Sequence, residues 1–318
     1  MDKMLQAAEN VLVSCMGLKK GESVLVVVDT PQWEIGRAFF TKAKELGAEA
    51  MLLEFLPRDN HGVEPPQALA LAMQQADVVL MPTSKSLSHT QARKDANAKG
   101  ARVASLPGIT KDMMERTLMG DYNEIARRSE KVQELLNKGS QVEITAPAGT
   151  DIKLSIKGRT GIADTGELSA PGIFGNLPAG EAYIAPIEIS AQGKLVIDGA
   201  MSGVGKVSTP INIDIVDGKA VSFLGGEEAK QLEALIDKHG EKARLVEELG
   251  VGTNDLAKLT GLVLEDEKVL GTIHIALGDN HTFGGTTTVS SHLDGMVLQP
   301  TMKIDGKVII DKGELIID

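Results

Sequence analysis

The chain has 318 residues, which at a prior of about 150 residues per domain predicts two domains. Its 42% hydrophobic and 24% charged residues are typical of a globular protein with a sizeable core. Acidic residues outnumber basic ones by 44 to 33, and the net charge of −11 argues against binding to nucleic acid or to an acidic membrane surface.

The lengths of the apolar runs and the cysteine content bear on membrane association, on the cellular compartment and on the type of metal site. The longest dense apolar run, residues 24–28, is far shorter than the roughly 20 residues that cross a bilayer, so no membrane association is expected. The single cysteine, Cys15, fits a reducing compartment and cannot supply a thiolate metal cluster. We therefore predict a cytoplasmic protein in which any metal is held by histidines and carboxylates.

Up to residue 139 the chain alternates short apolar runs with helical patterns, which predicts βαβ units and a parallel sheet. The expected strands are residues 23–29, 48–55, 76–82 and 101–106. The expected helices are residues 1–21, 31–47, 111–118 and 122–137. We predict an α/β domain of the flavodoxin or Rossmann type over residues 1–139, without the glycine-rich turn of a dinucleotide site.

The pattern changes at residue 140, and residues 140–318 are predicted to form an α+β domain. Alternating apolar and polar residues predict a hairpin over residues 141–159. Further strands are expected at 194–198, 211–216, 219–224, 271–277, 286–290, 302–304 and 308–310. Apolar residues at helical spacing predict one long helix over residues 227–249.

Three of the six histidines, His274, His281 and His292, lie close together in this second domain. His292 and Asp294 are two positions apart, so on an extended strand both side chains leave the same face and could bind one ion. His274 lies in an apolar run, where a buried imidazole needs a metal or a hydrogen-bonding partner. The alternative is a core His274 bonded to a carbonyl, with His292 and Asp294 merely exposed.

Two histidines and one aspartate are the facial triad of non-haem Fe(II) sites, whereas added carboxylates could bridge two divalent ions. Glu181 is one candidate, because prolines and glycines around it impose an irregular backbone. Glu248 is the other. It is expected at the end of the long helix, where a carboxylate opposes the helix dipole, although it could equally be solvated there.

Four segments in order, NLPAGEAYIAP, ELGVGTN, GTIHIALG and SSHLDGM, resemble the M29 family of metallo-aminopeptidases, the aminopeptidase T group. The earlier segment SLSHTQARKDANAKGARVASLPGIT resembles the amino-terminal domain of that family. The resemblance implies two divalent ions, Zn, Co or Mn, and a metal-activated water as nucleophile. The implied metal ligands are Glu181, Glu248, His274, His292 and Asp294.

The resemblance further implies that Glu248 is closest to the role of general base, in a homodimeric enzyme that removes the amino-terminal residue of small peptides. The chain departs from the family at position 281. The family has a tyrosine there that is thought to stabilise the tetrahedral intermediate, and this chain has His281, which could still donate a hydrogen bond to an oxyanion. We therefore count His281 as a catalytic candidate.

An alternative function uses the same scaffold. The resemblance extends to a ring-cleaving relative, a dihydroxypyridine dioxygenase that holds one Fe(II) with an equivalent His, His, Asp set. If Glu181 or Glu248 does not bind metal, His274, His292 and Asp294 would form that triad, and His281 or His89 could serve as acid or base. The aromatic content of 3% offers few stacking partners for a ring. A third possibility is a metal-binding protein without activity.

Overall fold

The computed structural model describes residues 2–317, which divide into two compact units. The first unit runs to Glu124 and also contains Gly166–Ala179, and the second contains Ile125–Thr165 and the chain from Gly180 onward. This division differs from the predicted boundary at residue 139, because one helix starts in the first unit and continues in the second. Among the described residues we find no helix with the length and hydropathy of a membrane span.

The first unit is an α/β unit built on one parallel sheet. Its helices are α1 (Lys3–Asn10), α2 (Trp33–Glu45), α3 (Gln67–Met73), α4 (Gln91–Ala98) and α5 (Lys111–Thr117). Its strands are β1 (Ser23–Asp29), β2 (Glu49–Phe55), β3 (Val78–Met81), β4 (Arg102–Ser105) and, after a long excursion of the chain, β8 (Phe174–Asn176).

The sheet of the first unit has the strand order β2-β1-β3-β4-β8, with all neighbours parallel. Residues 24–29 of β1 are fully buried. A strand covered on both faces needs apolar side chains on both faces, which explains the continuous run of valines and leucine in its sequence. The predicted parallel sheet and its four strands are confirmed, and β8 is a fifth strand that the sequence did not reveal.

The second unit is dominated by antiparallel strands. Its helices are α6 (Tyr122–Lys138), which begins in the first unit, α7 (Gly226–Asp237) and α8 (Val263–Asp266). The strands that precede α7 are β5 (Gln141–Thr145), β6 (Asp151–Ser155), β7 (Ile162–Asp164), β9 (Glu181–Ile184), β10 (Gln192–Ile197), β11 (Ala200–Met201), β12 (Gly205–Lys206), β13 (Ile211–Val216) and β14 (Lys219–Leu224). Those that follow it are β15 (Val246–Gly252), β16 (Ile273–Gly278), β17 (His292–Val297), β18 (Thr301–Ile304), β19 (Lys307–Asp311) and β20 (Glu314–Leu315).

These strands form two sheets. The eight-stranded sheet has the order β14-β13-β10-β6-β5-β18-β19-β20, and the seven-stranded sheet has the order β12-β11-β17-β16-β15-β9-β7. One apolar core takes side chains from both sheets and from helices α6 and α7. The mixed class predicted from the sequence, a parallel α/β part followed by a β-rich α+β part, is confirmed.

One predicted element of this unit is wrong in its second half and another is wrong altogether. The long helix over 227–249 ends at Asp237, a 3-10 turn follows at Glu241–Arg244, and Glu248 lies in strand β15. Gly240, with φ of 83°, breaks the helix. The register of β15 shifts between Val246 and Glu248, and only from Leu249 onward do the apolar residues alternate with a period of two, which the helical spacing of Leu245 and Leu249 concealed. The predicted strand at 286–290 is a loop, in which the backbone N–H groups of Thr286, Thr287 and Val289 donate to side chains and not to a neighbouring strand.

The apolar face of the seven-stranded sheet supplies much of the stability of the second unit. Ile275, on the central strand β16, is completely buried in the core. We expect Ile275→Ala to lower the free energy of unfolding by about 2–5 kcal/mol, the usual cost of emptying such a site. Urea unfolding measures this, with Val216→Ala, half exposed on β13, as the control that changes stability little. An equal loss in both variants would contradict the assigned core.

Candidate metal centre

Four neighbouring strands, β17, β16, β15 and β9, carry every predicted metal ligand on a single face of their sheet. The antiparallel register places Glu248 opposite Ala276, which in turn faces Asp294. Because alternate side chains of a strand share a face, the remaining ligands follow on the same side. The polar face thus holds Glu181, Glu248, His274, His292 and Asp294.

The intervening residues of the same strands point to the other face. They are the apolar side chains Ala182, Ile184, Leu249, Val251, Ile273, Ile275 and Leu277, all in the core. A shift of one residue in register would exchange the two faces and bury the charges in the core, so the apolar set fixes the position of the polar set.

The five side chains form two groups that share Glu248. His274 Nε2 lies 3.2 Å from Glu181 Oε2 and 3.3 Å from Glu248 Oε1. His292 Nε2 lies 3.2 Å from Glu248 Oε2 and 3.3 Å from Asp294 Oδ1. Each group of three offers one ligand atom per residue within 4.8 Å of the others. The structure therefore brings all five predicted ligands together, although His274, His292 and Asp294 are divided between the groups.

Hydrogen bonds fix the orientation of two of these ligands. The ring Nδ1 of His292 lies 2.8 Å from the carbonyl oxygen of Asp279, so it donates a hydrogen bond and leaves Nε2 for a metal. Ser202 donates to Oδ2 of Asp294, which leaves Oδ1 beside His292. Ring nitrogen and carboxylate oxygen are donors that Fe(II), Mn and Zn all accept.

Two buried atoms of the cluster have no hydrogen-bond partner within residues 2–317. They are Oε2 of Glu181, which faces His274, and Nδ1 of His274 itself. A buried polar atom without a partner costs stability, and such atoms call for an explanation. A cation bound between Glu181 and His274 would satisfy the carboxylate oxygen, so the residues fit a metal ion.

Small residues on the polar face leave room for the ligands. Gly250 lies opposite His274, and a Cβ on Gly250 would come within 1.9 Å of His274 Nε2. Ala276 and Gly278 alternate with His274 along β16 on the same face. The glycine at position 250 is therefore required by the imidazole beside it.

One charged residue of the cluster escaped the sequence analysis. Lys268 is completely buried, with Nζ 2.7 Å from Glu181 Oε1 and 3.7 Å from Asp164 Oδ2, and it also hydrogen-bonds to Glu267. In the sequence it belongs to the charged segment LEDEKVLG, which is typical of an exposed surface. No spacing rule distinguishes it from solvated lysines.

The electrostatics of the cluster favour positive charge. Burial opposes ionisation of both histidines, yet the neighbouring carboxylates raise the pKa of His274 and of His292 well above the usual range. Burial also opposes ionisation of Asp294, and His292 nevertheless lowers its pKa. The position between imidazole and carboxylate that would hold a proton is also the position that would hold a metal ion.

Burial has the opposite effect on two groups at the edge of the cluster. It raises the pKa of Glu267 to about 8, in spite of the ammonium group of Lys268 beside it. Burial and nearby carboxylates raise the pKa of Tyr183 far above its ordinary value, so its phenol stays neutral. These groups are hydrogen-bond donors at neutral pH.

The other histidines that the sequence singled out lie outside the two groups. His281 lies in the loop before β17, its side chain 52% exposed and its Nδ1 2.8 Å from Asp279 Oδ1. His89 occupies an exposed turn before α4 in the first unit. The structure does not bring His281 into the ligand cluster, so its predicted catalytic role stays a prediction.

A cavity of about 480 Å³ in the second unit is lined by Arg159, Ile162, Ile187 and Phe283, among others. The ring of Phe283 meets the rings of Tyr183 and His292 edge to face, with centroids 5.6 Å and 5.9 Å away. Since the His292 side chain is 32% exposed, it is the most open ligand. The cavity therefore adjoins the cluster through Phe283.

Comparison with known proteins identifies the family. A family profile described as NicX, 2,5-dihydroxypyridine 5,6-dioxygenase, matches residues 3–317. The chain belongs to the NicX family. A relative from Pseudomonas putida, named 2,5-dihydroxypyridine 5,6-dioxygenase, is 22% identical over 263 residues, which make up 77% of this chain and 72% of the relative.

Two solved structures share the fold. The structure of 2,5-dihydroxypyridine dioxygenase from Pseudomonas putida has a TM-score of 0.83 and 20% identity, covering 99% of this chain and 97% of that one. AmpT from Thermus thermophilus has a TM-score of 0.74 and 17% identity, covering 99% of both chains. The predicted resemblance to the aminopeptidase T group is thus confirmed for the fold.

The predicted function is not confirmed. The family profile, the curated relative and the structure with the higher TM-score all carry the name of a dioxygenase, so the predicted aminopeptidase, a hydrolase, is wrong. The scaffold is shared between the two groups, which explains why ordered segments around the ligands pointed to the wrong one. The predicted homodimer stays a prediction.

Gly250 provides a test of the ligand geometry. We expect Gly250→Ala to weaken metal binding at least about 10-fold, because the added methyl group displaces the His274 imidazole. Isothermal titration with Mn²⁺ measures the affinity. Gly161→Ala is the matched control, since a Cβ there meets only ordinary contacts at 3.4 Å or more. Unchanged affinity in Gly250→Ala would show that His274 is not a ligand.

Glu188 ties the loop before β17 to the rest of the unit and provides a pH test. It accepts hydrogen bonds from Thr286 and pairs with Arg159 at 2.6 Å. Although burial opposes ionisation, these bonds lower the pKa of Glu188 to about 2. The stabilisation is complete above the ordinary glutamate pKa of 4.5 and is lost as the pH falls through about 2.

We therefore expect Glu188→Gln to lower the free energy of unfolding at pH 7 by roughly 1–2 kcal/mol after allowance for solvent screening. Urea unfolding between pH 2 and 7 should show the difference from the native chain shrinking toward the acid end. A difference that does not vary with pH would contradict the assignment. Glu143→Gln, an exposed carboxylate on β5, is the control.

Proposed function

We propose that this protein is an Fe(II)-dependent dioxygenase that opens the ring of a dihydroxypyridine. The proposal depends above all on one observation, a set of two histidines and three carboxylates, buried except for His292, on one sheet face of a chain that the NicX profile matches over residues 3–317. The names of the Pseudomonas putida relative and structure support the substrate class.

The ligands that would hold the iron are His274, His292 and Asp294, the two-histidine, one-carboxylate set of non-haem Fe(II) oxygenases. The carboxylate of Glu248 lies within 3.3 Å of both imidazoles, so it connects His274 with His292 and Asp294. A bound ferrous ion supplies the redox and Lewis-acid chemistry that activation of dioxygen requires. Two carboxylates beyond a facial triad, Glu181 and Glu248, add to the negative charge of the site.

The protein's own side chains would bind and orient the ring. Phe283 stands edge-on to Tyr183 and His292, and such aromatic groups favour a flat heteroaromatic substrate. The neutral phenol of Tyr183 can donate a hydrogen bond to a substrate oxygen. Glu248, beside both histidines, is placed to accept the proton that a ring hydroxyl releases when it binds.

Oxygen uptake tests the proposal directly. Protein purified without oxygen and loaded with Fe(II) should consume one O₂ for each 2,5-dihydroxypyridine, with loss of the ring absorbance. A pyridine with a single hydroxyl group is the matched control and should support little uptake. Absence of uptake with every dihydroxypyridine isomer, in protein shown to contain iron, would refute the proposal.

The ligand variants give a second prediction. We expect His292→Ala and Asp294→Asn each to lower turnover by more than about 100-fold, because loss of a direct ligand exceeds the 10–100-fold cost of losing an outer partner. Iron content measured by mass spectrometry should fall in parallel. Asp214→Asn, an exposed aspartate on β13, is the matched control. Full turnover in Asp294→Asn would remove Asp294 from the ligand set.

A further inference from the structure

Lys268 is the least expected member of the cluster. It is completely buried, and its ammonium group contacts three carboxylates of the second unit. Burying a lysine is costly unless its charge is paired. The shortest of its contacts with a predicted metal ligand, 2.7 Å, is to Oε1 of Glu181. A positive charge is thus built into the ligand set by the chain itself.

The ligand set has places for two ions. Glu248 divides its two oxygens between His274 and His292, so each group of three has the size of a metal site. Carboxylates that bridge in this way support pairs of divalent ions in many enzymes. The number of ions therefore depends on what distinguishes the two groups.

Lys268 is what distinguishes them. One oxygen of Glu181 is taken by the ammonium group, so Glu181 presents only Oε2 to His274. The single ion of the proposed function, held by His274, His292 and Asp294, needs no ligand atom from Glu181. A second divalent ion would need Oε2 of Glu181 and would share this buried carboxylate with the ammonium group, and like charges in a buried site repel strongly. Among residues 2–317 no lysine forms a salt bridge with Glu248, His292 or Asp294, and the charge of Lys268 acts on Asp294 only from beyond contact distance.

We propose that Lys268 limits the centre to one divalent ion by occupying Glu181 with a permanent cation. The inference rests on the proposed function in taking a divalent-metal centre as given, but it concerns the number of ions and not the reaction. Lys268 acts through Glu181, so it is a positioning residue and not a catalytic one.

Metal stoichiometry tests the inference without reference to turnover. Native protein and Lys268→Met, which removes the charge and leaves an unbranched side chain one atom shorter, are equilibrated with Mn²⁺ and analysed for bound metal. We expect one Mn²⁺ per native chain and two per Lys268→Met chain. Electron paramagnetic resonance should show an isolated ion in the first case and a spin-coupled pair in the second.

Two further variants locate the second ion. The double variant Lys268→Met with Glu181→Gln should bind one Mn²⁺ again, because the carboxylate of the second site is gone. Lys238→Met, which changes an exposed lysine at the end of α7, should bind one. Two ions in the native chain, or one in Lys268→Met, would overturn the inference.

Removing Lys268 leaves the buried Glu181 carboxylate without its ammonium partner, so we expect Lys268→Met to be less stable than the native chain in the absence of metal. Lys268→Met with Glu267→Gln replaces the second acidic side chain beside Lys268 by a neutral amide and should also bind two ions. Failure of the inference and failure of the proposed function are distinguishable. One ion without oxygen uptake refutes only the function, and two ions with oxygen uptake refute only the role of Lys268.

Discussion

The central constraint on the second unit is the burial of charged side chains on one face of a sheet whose other face is purely apolar. The alternation of strands β15, β16 and β17 achieves this without any loop, because neighbouring residues such as Glu248 and Leu249 point in opposite directions. Hydrophobic packing thus holds the ligands in place. Their mutual distances of 3.2–3.3 Å are set by strand register more than by their own contacts.

This arrangement leaves the cluster with a large charge to neutralise. Lys268 supplies part of the positive charge, and its contact with Glu181 is permanent in a way that a dissociable ion is not. The negative charge of the carboxylates can be neutralised partly by an internal ammonium group and partly by a bound metal ion. The same scaffold could therefore hold different numbers of metal ions, depending on whether such a lysine is present.

Most of the fold and all five candidate ligands could be predicted from the sequence, and the features that could not have physical causes. The strand pattern around His292 and Asp294 placed both on one face, as observed, because period-two alternation is a local property. Glu248 was predicted as a ligand and lies in the cluster, but it was placed on a helix, since Leu245 and Leu249 happen to fit a helical spacing. Lys268 was missed because the predicted metal ligand that it contacts, Glu181, lies 87 residues away in the sequence, and the adjacent Glu267 is typical of an exposed charged segment.

The loop between β16 and β17 carries Phe283 into the cavity wall while its two ends are anchored in the strands that bear His274 and His292. The cavity wall and the candidate metal ligands are therefore encoded in adjacent but separate stretches of chain. Natural variation in the length or sequence of this loop could reshape the cavity while the ligand strands keep their register. The loop that forms the cavity wall can therefore change during evolution while the strands that carry the candidate ligands stay the same. Substrate specificity can change in this way without a change of the metal site.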